Sequence, residues 1–182
     1  VEMNIVSPRR LRSGARVAVV APSGVIAADE VQAGIDVVRE CGLEPVLGPC
    51  VRNLRPVGSH AGSIGERVDE LNWAFKAPGV SGVIGAVGGE GSAALLPYLD
   101  YDAIRASRRP FVGMSDLTAL NAGILSGAGL VSFNAQTPSI RLDKGRRLRE
   151  ADVESFRLTL QLLESDAPWG SRPLDFNPYF PR

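Results

Sequence analysis

Histidine is almost absent from this sequence: His60 is the only one in 182 residues. Hydrolytic chemistry that needs an imidazole base therefore has one candidate within the chain, and a lone histidine in a polar loop is more simply a surface residue. Cysteine is nearly as scarce. Cys41 and Cys50 are too few for a disulfide scaffold and their spacing fits no zinc pattern, so two reduced, partly buried thiols are expected and no metal site. Charge of one sign is lacking too. Lys+Arg and Asp+Glu each total 20, which leaves no net field to gather nucleic acid or anionic lipid. The two basic clusters, Arg9/Arg10/Arg12 and Arg146/Arg147/Arg149, read as solvated flanks. No apolar run reaches membrane-spanning length, and the opening VEMNIVSPRR has no apolar signal core. A cytoplasmic setting is expected, with neither nucleic acid nor membrane as partner.

What the sequence does have is alternation. VAVVA (residues 17–21) is a continuous apolar run, the mark of a strand buried on both faces. Helical spacing follows over 29–41 and stops at Gly42. A weaker strand spans 44–47, and residues 48–63 read as a long polar loop. Ile64, Val68, Leu71 and Phe75 recur at helical spacing, and a second buried strand, 80–87, runs into GGEGS. Helices are expected over 92–99 and 117–125 with a turn near 101–106, and strands over 111–114 and 129–133. Strands separated by helices predict an α/β fold: a doubly wound, mainly parallel sheet with helices on both faces, a three-layer sandwich of the flavodoxin or class I glutamine amidotransferase kind. Residues 1–140 would form this domain and 141–166 an amphipathic helix packed on it, with Val153, Phe156, Leu160 and Leu163 aligned. The proline-rich 167–182 would be a linker toward a further C-terminal domain.

In such sheets ligands bind beyond the carboxyl ends of the strands. GGEGS (residues 88–92) and GMSD (113–116) both fall there. Ser115 has two readings. It can cap the following helix, or it can be a nucleophile at a strand-to-helix turn, where free N–H groups favour developing negative charge. The stretch is not the G-x-S-x-G of common esterases. GGEGS is equally open: a structural turn with Ser92 as cap, or a cradle for an anion. It is not a P-loop, since no Gly-Lys-Ser/Thr follows. Asp100 and Asp102 pass for paired carboxylates but sit where a helix would be capped. APSG (21–24) brings Ser23 to the same rim.

Taken together, RRLRSGARVAVVAPSG, GSIGERVDELNWAF, GVIGAVGGEGSAALLPYLDYDAI, RRPFVGMSDLTAL and GLVSFNAQTP resemble, in collinear order over about 9–138, the N-terminal domain of the LD-carboxypeptidase family of serine peptidases. That family includes muropeptide carboxypeptidases and microcin C immunity hydrolases. The resemblance implies a catalytic nucleophile at Ser115 and an oxyanion hole from the backbone amides of Asp116 and Gly89. Gly88, Glu90, Met114 and Ser23 are then candidates for the substrate pocket. Met114 stands where the family has tyrosine, and Val87 and Glu90 where many members have arginine and tyrosine. The family draws the Glu and His of its triad from a C-terminal domain, and His60 does not match that histidine. The expectation is a hydrolase acting on a small peptide or muropeptide with a terminal D-amino acid, or on a microcin-like peptide-adenylate. It would need no metal or organic cofactor, could form a homodimer, and as this chain alone would be inactive. The alternative from another class is a non-catalytic domain that binds an anion or nucleotide on the same rim.

Overall fold

The computed structural model describes residues 4–137 and 150–164. Five strands form one sheet in the order β2–β1–β3–β4–β5, with β1 Arg16–Val20, β2 Glu44–Leu47, β3 Val80–Gly85, β4 Phe111–Gly113 and β5 Phe133–Asn134. Every neighbouring pair is parallel. The helices are α1 Ala28–Glu40, α2 Pro49–Asn53, α3 Ile64–Lys76, α4 Tyr101–Ser107, α5 Thr118–Gly123 and α6 Glu150–Glu164. This is the doubly wound α/β arrangement expected from the alternation of apolar strands and periodic helices.

Strand alternation sets the layers. Val17, Ile84 and Val112 join Val37 and Val38 of α1 and Phe156 and Leu160 of α6 in one cluster. Their neighbours Ala18, Val20, Val83 and Phe111 join Val68, Leu71 and Phe75 of α3, Ile104 of α4 and Leu120 of α5 in another. Both faces of the central strands are covered, which is why those strands read as unbroken apolar runs. Local signals set the helix starts. Ser63 Oγ accepts the Glu66 N–H at 3.3 Å while the Glu66 carboxylate accepts the Ser63 N–H at 2.8 Å, a capping box at the head of α3. Asp100 caps α4 by accepting the Ala103 N–H at 3.0 Å, so the paired-carboxylate pattern is a cap.

Three expectations change. Residues 48–63 are not all loop: Pro49 opens α2 at its first turn, where a missing N–H costs nothing, and Leu54 ends it in a left-handed conformation. Ser92–Tyr98 is a 3-10 helix, because Pro97 within it disfavours the wider α turn. The strand expected over 129–133 shrinks to β5, since the preceding helix continues to Ala128 and Gly129 closes it at φ 64°. Leu130 forms only an isolated bridge to Val6. Arg146, Arg147 and Arg149 and the segment 167–182 lie outside the described residues. Among the described residues no helix is long and apolar enough to cross a membrane.

Chain direction places the crevice. From β1 the chain goes to β2 on one side and then returns to β3 on the other, so the loops leaving β1 and β3 part at their carboxyl ends.

Candidate active site

β4 ends at Gly113, whose carbonyl accepts the Asn121 side-chain N–H at 2.9 Å. Met114 is extended, and Ser115 then turns abruptly with φ +60° into the 3-10 turn Ser115–Leu117 that leads to α5. A left-handed backbone at a residue with a Cβ costs about 1–2 kcal/mol and needs neighbours that hold it. Leu117 supplies part of that hold: it is fully buried and its N–H donates to the Met114 carbonyl at 3.2 Å. Ser115 itself is exposed. The cap reading of this serine fails, because the cap position falls one residue earlier, on Met114, and Ser115 is already the first residue of the turn.

The loop after β3 lies against this turn. A Cβ on Gly88 would stand 2.9 Å from the Ser115 Cβ and 3.2 Å from its Oγ, so only glycine permits the approach. The same loop meets the loop after β1: Gly24 N–H donates to the Gly88 carbonyl at 3.0 Å, and Gly89, at φ +125°, has its Cβ direction 2.9 Å from the Gly24 Cα. Asp116 ties all three loops together. Its Oδ2 accepts from Ser23 Oγ–H at 2.6 Å and from Ser92 N–H at 2.9 Å, and its carbonyl accepts from Ser92 Oγ–H at 2.7 Å. Burial acts to raise the Asp116 carboxyl, but these bonds and the Arg67 charge prevail and hold it below the usual aspartate value. The Asp116 amide precedes the first bond of its turn, made by Leu117, and so is one of the donors a helix start leaves without an internal partner.

Ser115, Asp116, Gly88, Gly89, Glu90 and Met114 therefore share one rim. Ser23 does not line it. It is 0 % exposed beneath the rim, and its hydroxyl is engaged by Asp116 and, at 3.1 Å, by the Glu90 carbonyl. Ser92 is likewise a tie between loops rather than a cap. His60 is half-buried rather than on the surface: its backbone pairs with Val57 and bridges to Gly24, and its Nε2 lies 2.5 Å from where a Cβ on Gly91 would stand.

Two residues that sequence reasoning passed over brace this rim from α3. Arg67, 2 % exposed, donates from Nε to the Gly62 carbonyl at 3.1 Å and from Nη1 to those of Pro22 and Gly91 at 3.0 and 3.2 Å. Glu70, 1 % exposed, accepts the N–H groups of Ala21 and Cys50, each at 2.7 Å. Their signal was available, since both fall in the register of Leu71 and Ala74, on the stripe of α3 that turns inward. Burial, aided by Glu70 and Glu66, pushes the Cys50 thiol up to about 12, so it is an unreactive packing residue. Two grooves of about 390 and 270 Å³ lie elsewhere, one between Pro8, Arg10, Val131 and Leu163 and one between Cys41, Arg157 and Gln161; neither contains a rim residue.

Comparison with known proteins gives this geometry a lineage. A putative carboxypeptidase of Streptomyces coelicolor is 41% identical over 132 residues, covering 71% of this chain and 43% of that protein. The microcin C7 self-immunity protein MccF of Escherichia coli is 36% identical over 113 residues, 62% of this chain and 32% of MccF. A solved MccF W186F mutant in complex with adenosine monophosphate superposes with a TM-score of 0.78 at 26% identity, over 88% of this chain and 48% of the other. The chain thus spans less than half the length of the relatives it matches. Residues 17–135 match the family model described as the LD-carboxypeptidase N-terminal domain, and the chain belongs to the LD-carboxypeptidase family.

Proposed function

We propose that this chain is the nucleophile-bearing part of a serine hydrolase that cleaves an amide preceding a terminal D-amino acid. The observation that carries the reading is Ser115: exposed, held at φ +60° at a strand-to-helix turn, and inside that turn rather than at its cap position. Its Oγ would attack the amide carbonyl, and the negative charge developing on that oxygen would be met by the backbone amides of Asp116 and Gly89. Collapse of the tetrahedral intermediate expels the D-amino acid and leaves an acyl-enzyme, which water hydrolyses. His60 does not match the histidine of the family's triad, so we assign the base to the Glu and His that the family resemblance implies outside the stretch matched here, which is 43% of the Streptomyces coelicolor relative. A peptide-adenylate is the second substrate in view, favoured by the MccF structure that holds adenosine monophosphate.

The test is Ser115→Ala in the full-length gene product, assayed with a peptide ending in a D-amino acid and with a peptidyl-adenylate analogue. Hydrolysis should fall on the order of 10⁴-fold or more while circular dichroism stays unchanged. Activity that persists overturns the assignment. Tight nucleotide binding by the wild type without turnover of either substrate would favour the non-catalytic alternative.

A further inference from the structure

Asn121 is a buried residue of α5, one helical turn beyond Leu117, the residue that closes the Ser115 turn. Its Nδ2–H donates at 2.9 Å to the carbonyl of Gly113, the last residue of β4. Its own backbone carbonyl accepts the Ser132 hydroxyl at 3.3 Å, just before β5. The side-chain oxygen is buried and has no donor among the described residues. An apolar side chain of the same shape would avoid that unpaired acceptor, so what keeps the amide here is the bond it donates. Its orientation is fixed as well, because the flipped amide would set Oδ1 against the Gly113 carbonyl. Gly113 lacks any hold of its own. A Cβ there would stand 2.8 Å from the Leu117 Cβ and 3.1 Å from the Phe111 ring, so the position has no side chain to steady its peptide plane.

We infer that Asn121 is a positioning residue for Ser115: by donating to the Gly113 carbonyl it fixes the peptide plane from which β4 enters the left-handed turn, and with it the direction of the Ser115 hydroxyl. This rests on the hydrolase reading above. Two holds then act on the turn from opposite ends. Leu117 closes it from the helix side, with its N–H on the Met114 carbonyl, and Asn121 stops the strand end from rotating. Asn121 lies beneath the turn and is not part of the rim that meets substrate. Its loss leaves binding on the rim in place and lets the nucleophile drift from its line of attack, which lowers kcat rather than raising KM.

The experiment uses the full-length gene product and a peptide ending in a D-amino acid. Asn121→Leu should lose about tenfold to a hundredfold in kcat, with KM within about twofold of wild type and circular dichroism unchanged. Asn121→Asp supplies a second reading. The carboxyl it introduces donates to the Gly113 carbonyl while protonated and repels it once ionised, and burial puts that ionisation above the usual aspartate range. The ratio of its kcat to that of wild type should therefore fall as pH rises from 5 to 8. An Asn121→Leu kcat within about twofold of wild type, or an Asn121→Asp ratio that does not change with pH, overturns the role of Asn121. Hydrogen exchange at the Leu117 amide reads the turn without turnover. It should be faster than wild type in Asn121→Leu, and in Asn121→Asp at pH 8, while the amides of β1 keep their protection. Faster exchange in a protein that hydrolyses no such peptide supports the hold on the turn and sinks the hydrolase reading alone. Unchanged exchange overturns the hold. Where Asn121→Leu does not fold, the pH ratio and the exchange in Asn121→Asp decide.

Discussion

Glu70 shows how a single side chain can hold a rim and charge the fold for it. Burial raises its carboxyl from the ordinary value near 4.5 to about 7, against the opposing pull of backbone N–H bonds from Ala21, Cys50 and Val51. The sign of the resulting pH dependence follows from proton counts. Between pH about 4.5 and 7 the folded state keeps a proton that the unfolded chain has released. The contribution to stability is therefore fully present below pH 4.5, declines through that window, and is lost above about 7, a change of about 3 kcal/mol. Chemical denaturation of the wild type and Glu70→Gln at pH 5, 6, 7 and 8 should show this decline only in the wild type. Parallel profiles would mean that Glu70 is ionised throughout. At this scale the sequence was only partly legible. Ser115 and its glycines stood out because a turn after a buried strand needs special residues. Arg67 and Glu70 did not, because a charged residue on a helix is taken by default to face water. What reverses the default is tertiary: unpaired carbonyls and amides of three loops converge under α3, and charged groups are strong enough partners to be buried there.

At the scale of elements the fold was far more legible, and for a physical reason. β1 and β3 are covered on both faces, so VAVVA and GVIGAV had to be apolar throughout, and the helical spacing of Val68, Leu71 and Phe75 marked α3. The segments that escaped are those where local and tertiary demands conflict, such as the proline-bearing 3-10 helix Ser92–Tyr98 and the two-residue β5. α6 shows both its period and its purpose. Val153, Phe156, Leu160 and Leu163 line one stripe, and the Leu163 carbonyl accepts the Leu11 N–H at 3.0 Å. Phe156 is 0 % exposed and packs in the cluster with Val17, Ile84 and Val112, so it fastens the helix to the sheet face opposite α3. Phe156→Ala should lower stability by about 3–5 kcal/mol in urea denaturation, while Leu158→Ala, at an exposed position on the same helix, should stay within about 0.5 kcal/mol. Similar losses at the two positions would mean that α6 does not dock by this stripe.

Across the whole molecule, the site exists because three loops that belong to different strands are brought to one place by the 2-1-3-4-5 strand order. Sheet topology alone brings them near. It does not fix their relative height to the fraction of an ångström that the Gly88–Ser115 approach requires. That task falls to the Ser23–Asp116–Ser92 linkage, which joins the β1 loop, the turn after β4 and the start of the 3-10 helix after β3. If the linkage acts as a unit, its members are energetically coupled, and a double-mutant cycle on Ser23→Ala and Asp116→Asn measures the coupling directly. Each single substitution should cost about 1–2 kcal/mol, since it strips a partner from a buried polar group. The double variant should cost less than their sum by about 1 kcal/mol, because the second change removes a bond already broken. Ser59→Ala, on the exposed side of the same rim, should add to either single without coupling, since its hydroxyl donates to the Glu90 carboxylate and its carbonyl accepts from Val25, neither of which is Ser23 or Asp116. Additivity between Ser23 and Asp116 to within about 0.3 kcal/mol would show that the loops are held by backbone packing at Gly24, Gly88 and Gly89 instead, and that the hydroxyl merely fills its place.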